Sequence, residues 1–597
     1  MVIACTRDCY DTCIFDDNYK PLNIFPINGF TCSRGLKDLE RNGKNRILSA
    51  IIDGKEVSIN DAINYVARKL KEVLKKGKER IIHVDYDGNQ GLLTWYYPRR
   101  LWNLLGVSST DYSICSAEGH KAIELHYGTS MGALPEEFLN YDSFVIWGSE
   151  ASISFIHGWK LMSNKYKVVI DVRLSETAKK SEKSFIINPS SDVFLAIGII
   201  KKLFEKNWVS PKAYEILDDV NKLKSYVELF EMSKIVKYVG ISEEEIEEIA
   251  RIYYERKPLT IIGFALGRTI NGGDAISLIS LIPALVGNRR GFFYSNSQGW
   301  GIDFSYLVGL HLGKPVRIVG MAEVGYEVEK GNIEFMFVWN CNPIHSLPGS
   351  DRIVDAVKDG RLFLVVHDPF NNETTKLANV AIPAPTFLEK YDVVYSYWHN
   401  YLVYNEPIQR KIGITEIELM RGLAKEIGII HEGIFKDEWE ELEYALRNTG
   451  ISIKDLKEKK FIKIKSNINA LYYNKIKVEP LPPPKSLKMP SKRVLVFSSH
   501  PNYTNSQFKE IYGERKLIIY NKYYEGEGWL TSRYGRVKVY FVKDEKVPDN
   551  VVFTFKSNLV GIDGKPLNAL IGSEKGKYGG TPLLNGTEVE IYVEKGS

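Results

Sequence analysis

The sequence predicts an α/β fold built from several domains, and three observations carry that prediction. The chain has 597 residues, and at about 150 residues per domain that length makes roughly four domain-sized units. In its middle, short β-branched apolar runs alternate with helical stretches, the pattern of parallel strands joined by crossover helices. A proline-rich segment, Glu479 to Pro490, reads as a linker, and from Ser491 onward short strands and glycine turns read as an all-β barrel.

Composition narrows the function classes. Hydrophobic residues make up 44% and charged residues 26% of the chain, ordinary values for a globular protein. A membrane helix needs about 18 consecutive apolar residues. The longest candidate, Ile276 to Gly287, is interrupted by Ser277, Ser280 and Pro283, so no membrane span is expected. The net charge of +5 is spread thinly, with no basic block to bind nucleic acid and no acidic tail. A small-molecule substrate is the expected partner.

There are six cysteines, and Cys5, Cys9, Cys13 and Cys32 crowd the N-terminus. No charged-then-apolar leader precedes Cys5, so the expectation is a cytoplasmic chain with reduced thiols. Reduced thiols favour metal over disulfides. The spacing is C-x3-C-x3-C, then 18 residues, then Cys32. A cubane iron–sulfur cluster takes three thiolates from one tight loop and a fourth from elsewhere, which this pattern supplies as a candidate [4Fe–4S] site. A structural zinc site is the alternative, although zinc usually takes its cysteines in two close pairs. Arg34 follows Cys32 by two residues, where a cation would offset the charge of four thiolates. A solvated surface arginine is the plainer reading.

The middle of the chain repeats itself. One copy reads FVIWGSEASISFIHG, then KVVIDVRLSETAKKSEKSFII; the other reads FMFVWNCNPIHSLPG, then LFLVVHDPFNNETTKLANVAI. The first apolar run ends at Trp147-Gly148 or at Trp339-Asn340, and the second ends at Asp171 or Asp368. Five residues later each copy places Glu-Thr (Glu176, Thr177; Glu373, Thr374), then a lysine (Lys179, Lys376). Ligands of parallel sheets bind outside the carboxyl ends of the strands, where these loops fall. An Asp there accepts hydrogen bonds from a sugar or a purine edge. The repeat therefore points to two similar nucleotide sites, against the alternative that doubly wound sheets look alike whatever they bind.

With these residues in place, the chain resembles the dimethyl sulfoxide reductase family, oxidoreductases that carry molybdenum or tungsten on two pterin guanine dinucleotides. The likeness runs from the cysteine cluster and the C-x-[KR]-G of Cys32 to Gly35, through IIGFALGRTINGGDAISLISLIPALVGN, CNPIHSLPG and VVHDPFNNETTKLANVAIPAPTFLEK. It ends in SSHPNYTNSQF and LNALIGSEKGKYGGTPLLNGTEVEIYV. The resemblance implies four domains. An iron–sulfur domain would occupy 1–53. Two doubly wound α/β domains around a bis-molybdopterin guanine dinucleotide would occupy 54–110 with 335–480, and 111–334. A C-terminal β-barrel domain would occupy 491–597. It implies cofactor contacts at Arg34, Gly148, Asp171, Arg173, Asp192, Asn342, Asp368, Thr374 and Asn568. The sequence departs from the pattern at Gly148-Ser149-Glu150, where the family often has Gly-x-Asn. It departs also at Asn340 for Gly, at Val172 for Pro, and in NPSSD from Asn188 to Asp192.

Cys115 lies in SICSAEGHKAIELHYG. Without context a single cysteine is a small core residue. In the family the protein ligand to molybdenum or tungsten precedes a glycine by 13 residues, as Cys115 precedes Gly128. A soft thiolate suits a metal already held by dithiolene sulfurs, so the resemblance makes Cys115 the expected metal ligand. Cys341 reads as structural. His120, His126 and Glu118 are candidates for proton relay, since reduction at the metal consumes protons, with a satisfied core or surface role as the alternative.

The resemblance implies a two-electron oxidoreductase whose electrons pass through a pterin, past Arg34, to the cluster. No cysteine remains for a second cluster, so an external ferredoxin or iron–sulfur subunit is the expected electron partner. Formate enzymes of the family carry a His after the ligand and an Arg before a Q-G. Here Ser116 follows Cys115, and GFFYSNS precedes Gln298-Gly299, although Arg289 and Arg290 are near. A formate anion would lack its usual clamp, which favours a small inorganic sulfur or nitrogen compound as substrate. Two rivals are a metal-free wiring subunit and a non-redox hydratase.

Overall fold

The structure, a computed structural model, describes residues 1–465, 474–499, 517–557 and 559–593. Residues 500–508 of the motif SSHPNYTNSQF lie outside the described residues. The chain divides into two compact units, Met1–Tyr112 with Trp300–Ser466, and Ser113–Gly299 with Asn467–Ser597.

In the first unit, a six-stranded sheet runs in the order Lys55–Val57, Ala50–Ile52, Val380–Pro383, Phe363–Asp368, Phe335–Trp339, Ile81–Asp85. The last four strands are parallel, and Ala50–Ile52 lies antiparallel at their edge. Phe335–Trp339 and Ile81–Asp85 are buried at every position. Parallel strands covered on both faces read as unbroken apolar runs, as FMFVW does at Phe335–Trp339. The helix Ile59–Leu74 packs on this sheet. Ile63, Val66, Ala67, Leu70 and Val73 form its apolar stripe, and the Ser58 hydroxyl caps it by accepting from the Asp61 N–H. Near the N-terminus, Val2–Ala4 and Ile14–Asp16 pair antiparallel. The loop they enclose brings Cys5 beside Cys13, whose carbonyl accepts from the Cys5 N–H at 2.8 Å.

The second unit holds a five-stranded parallel sheet in the order Phe292–Phe293, Leu259–Ile262, Ser143–Trp147, Tyr166–Asp171, Lys183–Ile186. The apolar stretch after Ile276 belongs to the helix Gly272–Leu285, which is buried at all its positions. It packs against the helices Asp192–Glu205 and Ala117–Tyr127. Burial on every face is that of a helix wrapped in protein. Among the described residues no helix is long and apolar enough to cross a membrane.

The C-terminal part of this unit is a closed six-stranded barrel, in the order Arg493–Ser498, Val551–Phe555, Ile518–Asn521, Gly535–Lys543, Gly526–Ser532, Thr587–Val593. Val537, Val539 and Phe541 point inward at every second position and pack with Leu495, Ile519, Leu530 and Val552. Closure leaves no free strand edge. The mixed α/β architecture with a C-terminal barrel agrees with the fold class read from the sequence.

Candidate functional site

In the first unit, Cys5 and Cys13 are buried and Cys9 and Cys32 half-buried, none of the four in a disulfide. Cys9 interacts electrostatically with Cys5 and Cys32, and Cys13 with Cys5 and Cys9. Burial pushes the Cys5 thiol up to about 12, against the pull of Arg7, and pushes Cys9 and Cys13 well above the usual range. Three of the sulfurs accept hydrogen bonds. Asp11 N–H donates to Cys9 at 3.4 Å, Gly35 N–H to Cys32 at 3.4 Å, and the Thr31 hydroxyl to Cys13 at 3.3 Å. Such bonds orient thiolate ligands, so the donor set fits a cluster of four cysteines. Among the described residues, however, no three His, Cys, Asp or Glu side chains already converge around one metal position.

Arg34 is exposed on the short helix Ser33–Leu36. Arg7, which pairs with the buried Asp38, lies in the field of Cys5. Sequence reading passed over Arg7.

The second copy of the repeat also lies in the first unit. Asp368 ends its strand and is half-buried; its carboxylate accepts from Phe370 N–H at 2.8 Å and from the Asn372 amide at 3.1 Å. Burial raises it to about 6 all the same. The Thr374 hydroxyl donates to Asn342 Oδ1 at 2.5 Å. Nearby, at the start of the helix Ser350–Lys358, the buried Ser350 hydroxyl makes no hydrogen bond within the protein.

Asp85 ends a third parallel strand. It accepts from Arg99 Nε at 2.7 Å and from the Tyr112 hydroxyl at 2.9 Å. Burial opposes its charge, but Arg99 and His83 hold it below the usual carboxylate range. Asp87, two residues on, is pushed well up by burial and by Asp8. The available signal was an acid at a strand end, as at Asp171 and Asp368.

In the second unit, Gly148 follows Ser143–Trp147 with φ +62°, and a Cβ built on Gly263 would lie 1.8 Å from the Gly148 carbonyl oxygen. Only glycine permits the two strand ends to approach so closely. Asp171 is raised to about 6 by burial despite Arg173. Asp192 is raised similarly to about 6 by burial and accepts from the Trp147 indole at 2.8 Å. Arg173 donates to the Ser498 hydroxyl at 2.7 Å and to Glu150 at 3.0 Å. The Ser190 hydroxyl, 1% exposed, has no partner in the protein. Orphan hydroxyls beside the strand-end loops, Ser190 in this copy and Ser350 in the other, fit polar ligands at those loops. Asn568 is buried in the turn Leu567–Leu570 of the barrel.

Glu150 explains one departure from the family pattern. Its carboxylate accepts from the Thr177 N–H at 2.8 Å and hydroxyl at 2.7 Å. It stands three residues after Trp147, as Asn342 stands three after Trp339, and each holds the threonine of its own Glu-Thr.

Cys115 is buried just before the helix Ala117–Tyr127. On that helix His120 Nδ1 bonds the Ser130 hydroxyl at 2.5 Å, and burial drives its pKa down to about 3. His126 bonds the Lys477 carbonyl through Nδ1 at 2.6 Å and the Ser277 hydroxyl through Nε2. Burial takes it down to about 4. Both rings are neutral near pH 7, and both nitrogens of His126 are engaged inside the fold. Glu118 is held by the main chain of a distant loop, and Tyr294, which sequence reading missed, lies against the turn carrying Cys115.

The sequence profile for Molybdopterin oxidoreductase matches residues 53–399. The chain is 28% identical over 392 residues to the probable oxidoreductase YoaE of Bacillus subtilis, covering 62% of this chain and 58% of that protein. It is 27% identical over 461 residues to the probable oxidoreductase YyaE of the same organism, covering 71% and 68%. Acetylene hydratase from Pelobacter acetylenicus shares the fold with a TM-score of 0.75 and 16% identity, over 99% of this chain and 98% of that one.

Proposed function

This chain belongs to the molybdopterin oxidoreductase family, and from that premise we propose that it is the catalytic subunit of a molybdenum- or tungsten-dependent two-electron oxidoreductase. The observation that carries the proposal is Cys115, a thiol buried immediately ahead of a helix whose first turn is fixed by two separate contacts. A soft thiolate there suits a metal held by dithiolene sulfurs. The bis-molybdopterin guanine dinucleotide, when bound, supplies the two-electron change at its metal.

The chain's own residues divide the remaining work. Cys5, Cys9, Cys13 and Cys32 would hold a [4Fe–4S] cluster, which would supply one-electron exchange with an external ferredoxin or iron–sulfur subunit. Arg34 and Arg7 place positive charge beside it. The loops at Gly148, Asp171, Arg173 and Asp192 bind one pterin nucleotide; those at Asn342, Asp368 and Thr374 bind the other, and Asn568 adds a contact from the barrel. The domain bounds follow the same reading: 1–53, 54–110 with 335–480, 111–334 and 491–597.

The substrate in this proposal is a small inorganic sulfur or nitrogen compound. A formate clamp finds little support. Ser116 follows Cys115, and Arg290 Nη2 donates to the carbonyls of Met131 and Gly132.

The test is anaerobic purification, elemental analysis, and a dye-linked panel of nitrate, polysulfide, thiosulfate and formate. Molybdenum or tungsten with acceptor-dependent turnover is the expected result. Protein without either metal would leave a wiring subunit, and turnover without any electron acceptor would leave a hydratase.

A further inference from the structure

Two side chains grip the turn that carries Cys115, and each does so at a cost that packing alone does not require. One is Glu118, 1% exposed. Its carboxylate accepts from Tyr578 N–H at 3.1 Å and from Gly579 N–H at 2.6 Å, while its own N–H donates to the Thr581 hydroxyl at 3.0 Å. Consecutive main-chain N–H groups curled around an anion form a nest. Here the nest is filled by a side chain of the Cys115 helix.

Glycines make room for it. A Cβ on Gly273 would lie 2.2 Å from Glu118 Oε1, one on Gly576 2.3 Å from its carboxyl carbon, and one on Gly579 2.2 Å from the Ala117 carbonyl carbon. Segments remote in sequence thus leave space for this carboxylate and for the main chain just before it.

The other is Tyr294, fully buried, whose hydroxyl donates to the Ser116 carbonyl at 2.8 Å. Its ring fills the notch over Gly119, where a Cβ would lie 2.2 Å from the ring carbon Cζ. His120 meets the same ring edge-on at 5.3 Å and Phe264 at 4.9 Å.

We propose that Glu118 and Tyr294 are positioning residues for Cys115, fixing its turn by two separate contacts so that the thiolate meets the metal in one geometry. This rests on the reading of Cys115 as metal ligand. A buried carboxylate is expensive, and a well-packed apolar side chain would join helix and loop at lower cost. Local rules broken at such expense mark functional positions. A ligand must be held to within about 0.5 Å, and that precision comes from its supporting hydrogen bonds.

The test uses the holoenzyme with Tyr294→Phe, Glu118→Gln, Glu118→Asp and Cys115→Ala. Tyr294→Phe removes one oxygen and keeps the ring. It should retain metal and iron, lower kcat roughly tenfold with KM little changed, and broaden the paramagnetic resonance signal of the half-reduced metal. Glu118→Gln replaces one acceptor oxygen with an NH2 donor facing main-chain N–H donors and should do the same more strongly, with Glu118→Asp restoring part of the signal. Should Glu118→Gln not fold, Tyr294→Phe carries the test alone. A lowered melting temperature with unchanged resonance signal and kcat would make the two residues structural staples and overturn the proposal. If Cys115→Ala itself keeps the wild-type signal, the ligand reading falls. If Cys115→Ala changes the signal while the clamp variants do not, only the positioning role falls.

Discussion

The Thr374 hydroxyl donates to Asn342 Oδ1 at 2.5 Å, joining the loops that follow two neighbouring parallel strands. Thr177 and Glu150 do the same in the other copy of the repeat at 2.7 Å. The partner differs, amide in one half and carboxylate in the other, but its offset from the strand-end tryptophan is the same. The repeat is therefore conserved as an interaction between loops more strictly than as a string of letters, and the interaction sits where a parallel sheet binds ligands.

These ties predict a nucleotide count. Acid release from the purified enzyme should give about two guanosine monophosphates per metal if each half holds one pterin nucleotide. Thr374→Val removes the hydroxyl at nearly constant volume and should lower that ratio toward one, with Thr177→Val acting on the other half. A ratio that stays at two in both variants would detach the Glu-Thr elements from cofactor binding.

The cysteine loop predicts an iron count. Anaerobically purified protein should carry four irons and the broad visible absorbance of a cluster. Cys9→Ser should lower iron and absorbance together. Stoichiometric zinc without iron in the native protein would replace the cluster with a structural zinc site.

The two buried histidines predict a pH dependence of stability. Burial lowers both folded-state pKa values below 6.5, to about 4 for His126 and about 3 for His120. The unfolded chain takes up these protons first, so the stabilisation is full above pH 6.5 and is lost as pH falls toward 4 and then 3. The melting temperature should drop across that window, and His126→Gln should flatten the upper part of the slope. The same shifts predict no inflection near pH 6.5 from either ring in the activity profile. A clear inflection there that His120→Gln removes would restore His120 as a proton donor.

The sequence made the strands legible because a parallel sheet covered on both faces writes itself as unbroken apolar runs, as at Phe335–Trp339. The barrel was legible from alternation such as Val537, Val539 and Phe541. The strand-end acids Asp171 and Asp368 were legible from the repeat. The clamp around Cys115 was not. Gly579 donates to Glu118 across 461 positions and Tyr294 to Ser116 across 178, and no local pattern encodes partners so remote. Glu118 was visible as an acid near Cys115, but its nest of main-chain N–H groups leaves no trace in residue types. Arg7 was hidden differently, by lying inside the cysteine loop where attention falls on the thiols.

The account stands on Cys115, and one substitution tests it most directly. Cys115→Ala should keep the iron of the cluster and the guanine nucleotides, which other residues hold, and lose nearly all acceptor-dependent turnover. As a core residue alone, Cys115 would cost only about 1 kcal/mol on truncation to alanine, and activity would survive at moderate temperature. Turnover reduced by orders of magnitude with iron and nucleotide intact is the predicted result. An active Cys115→Ala enzyme whose metal spectrum matches the wild type would contradict the assignment.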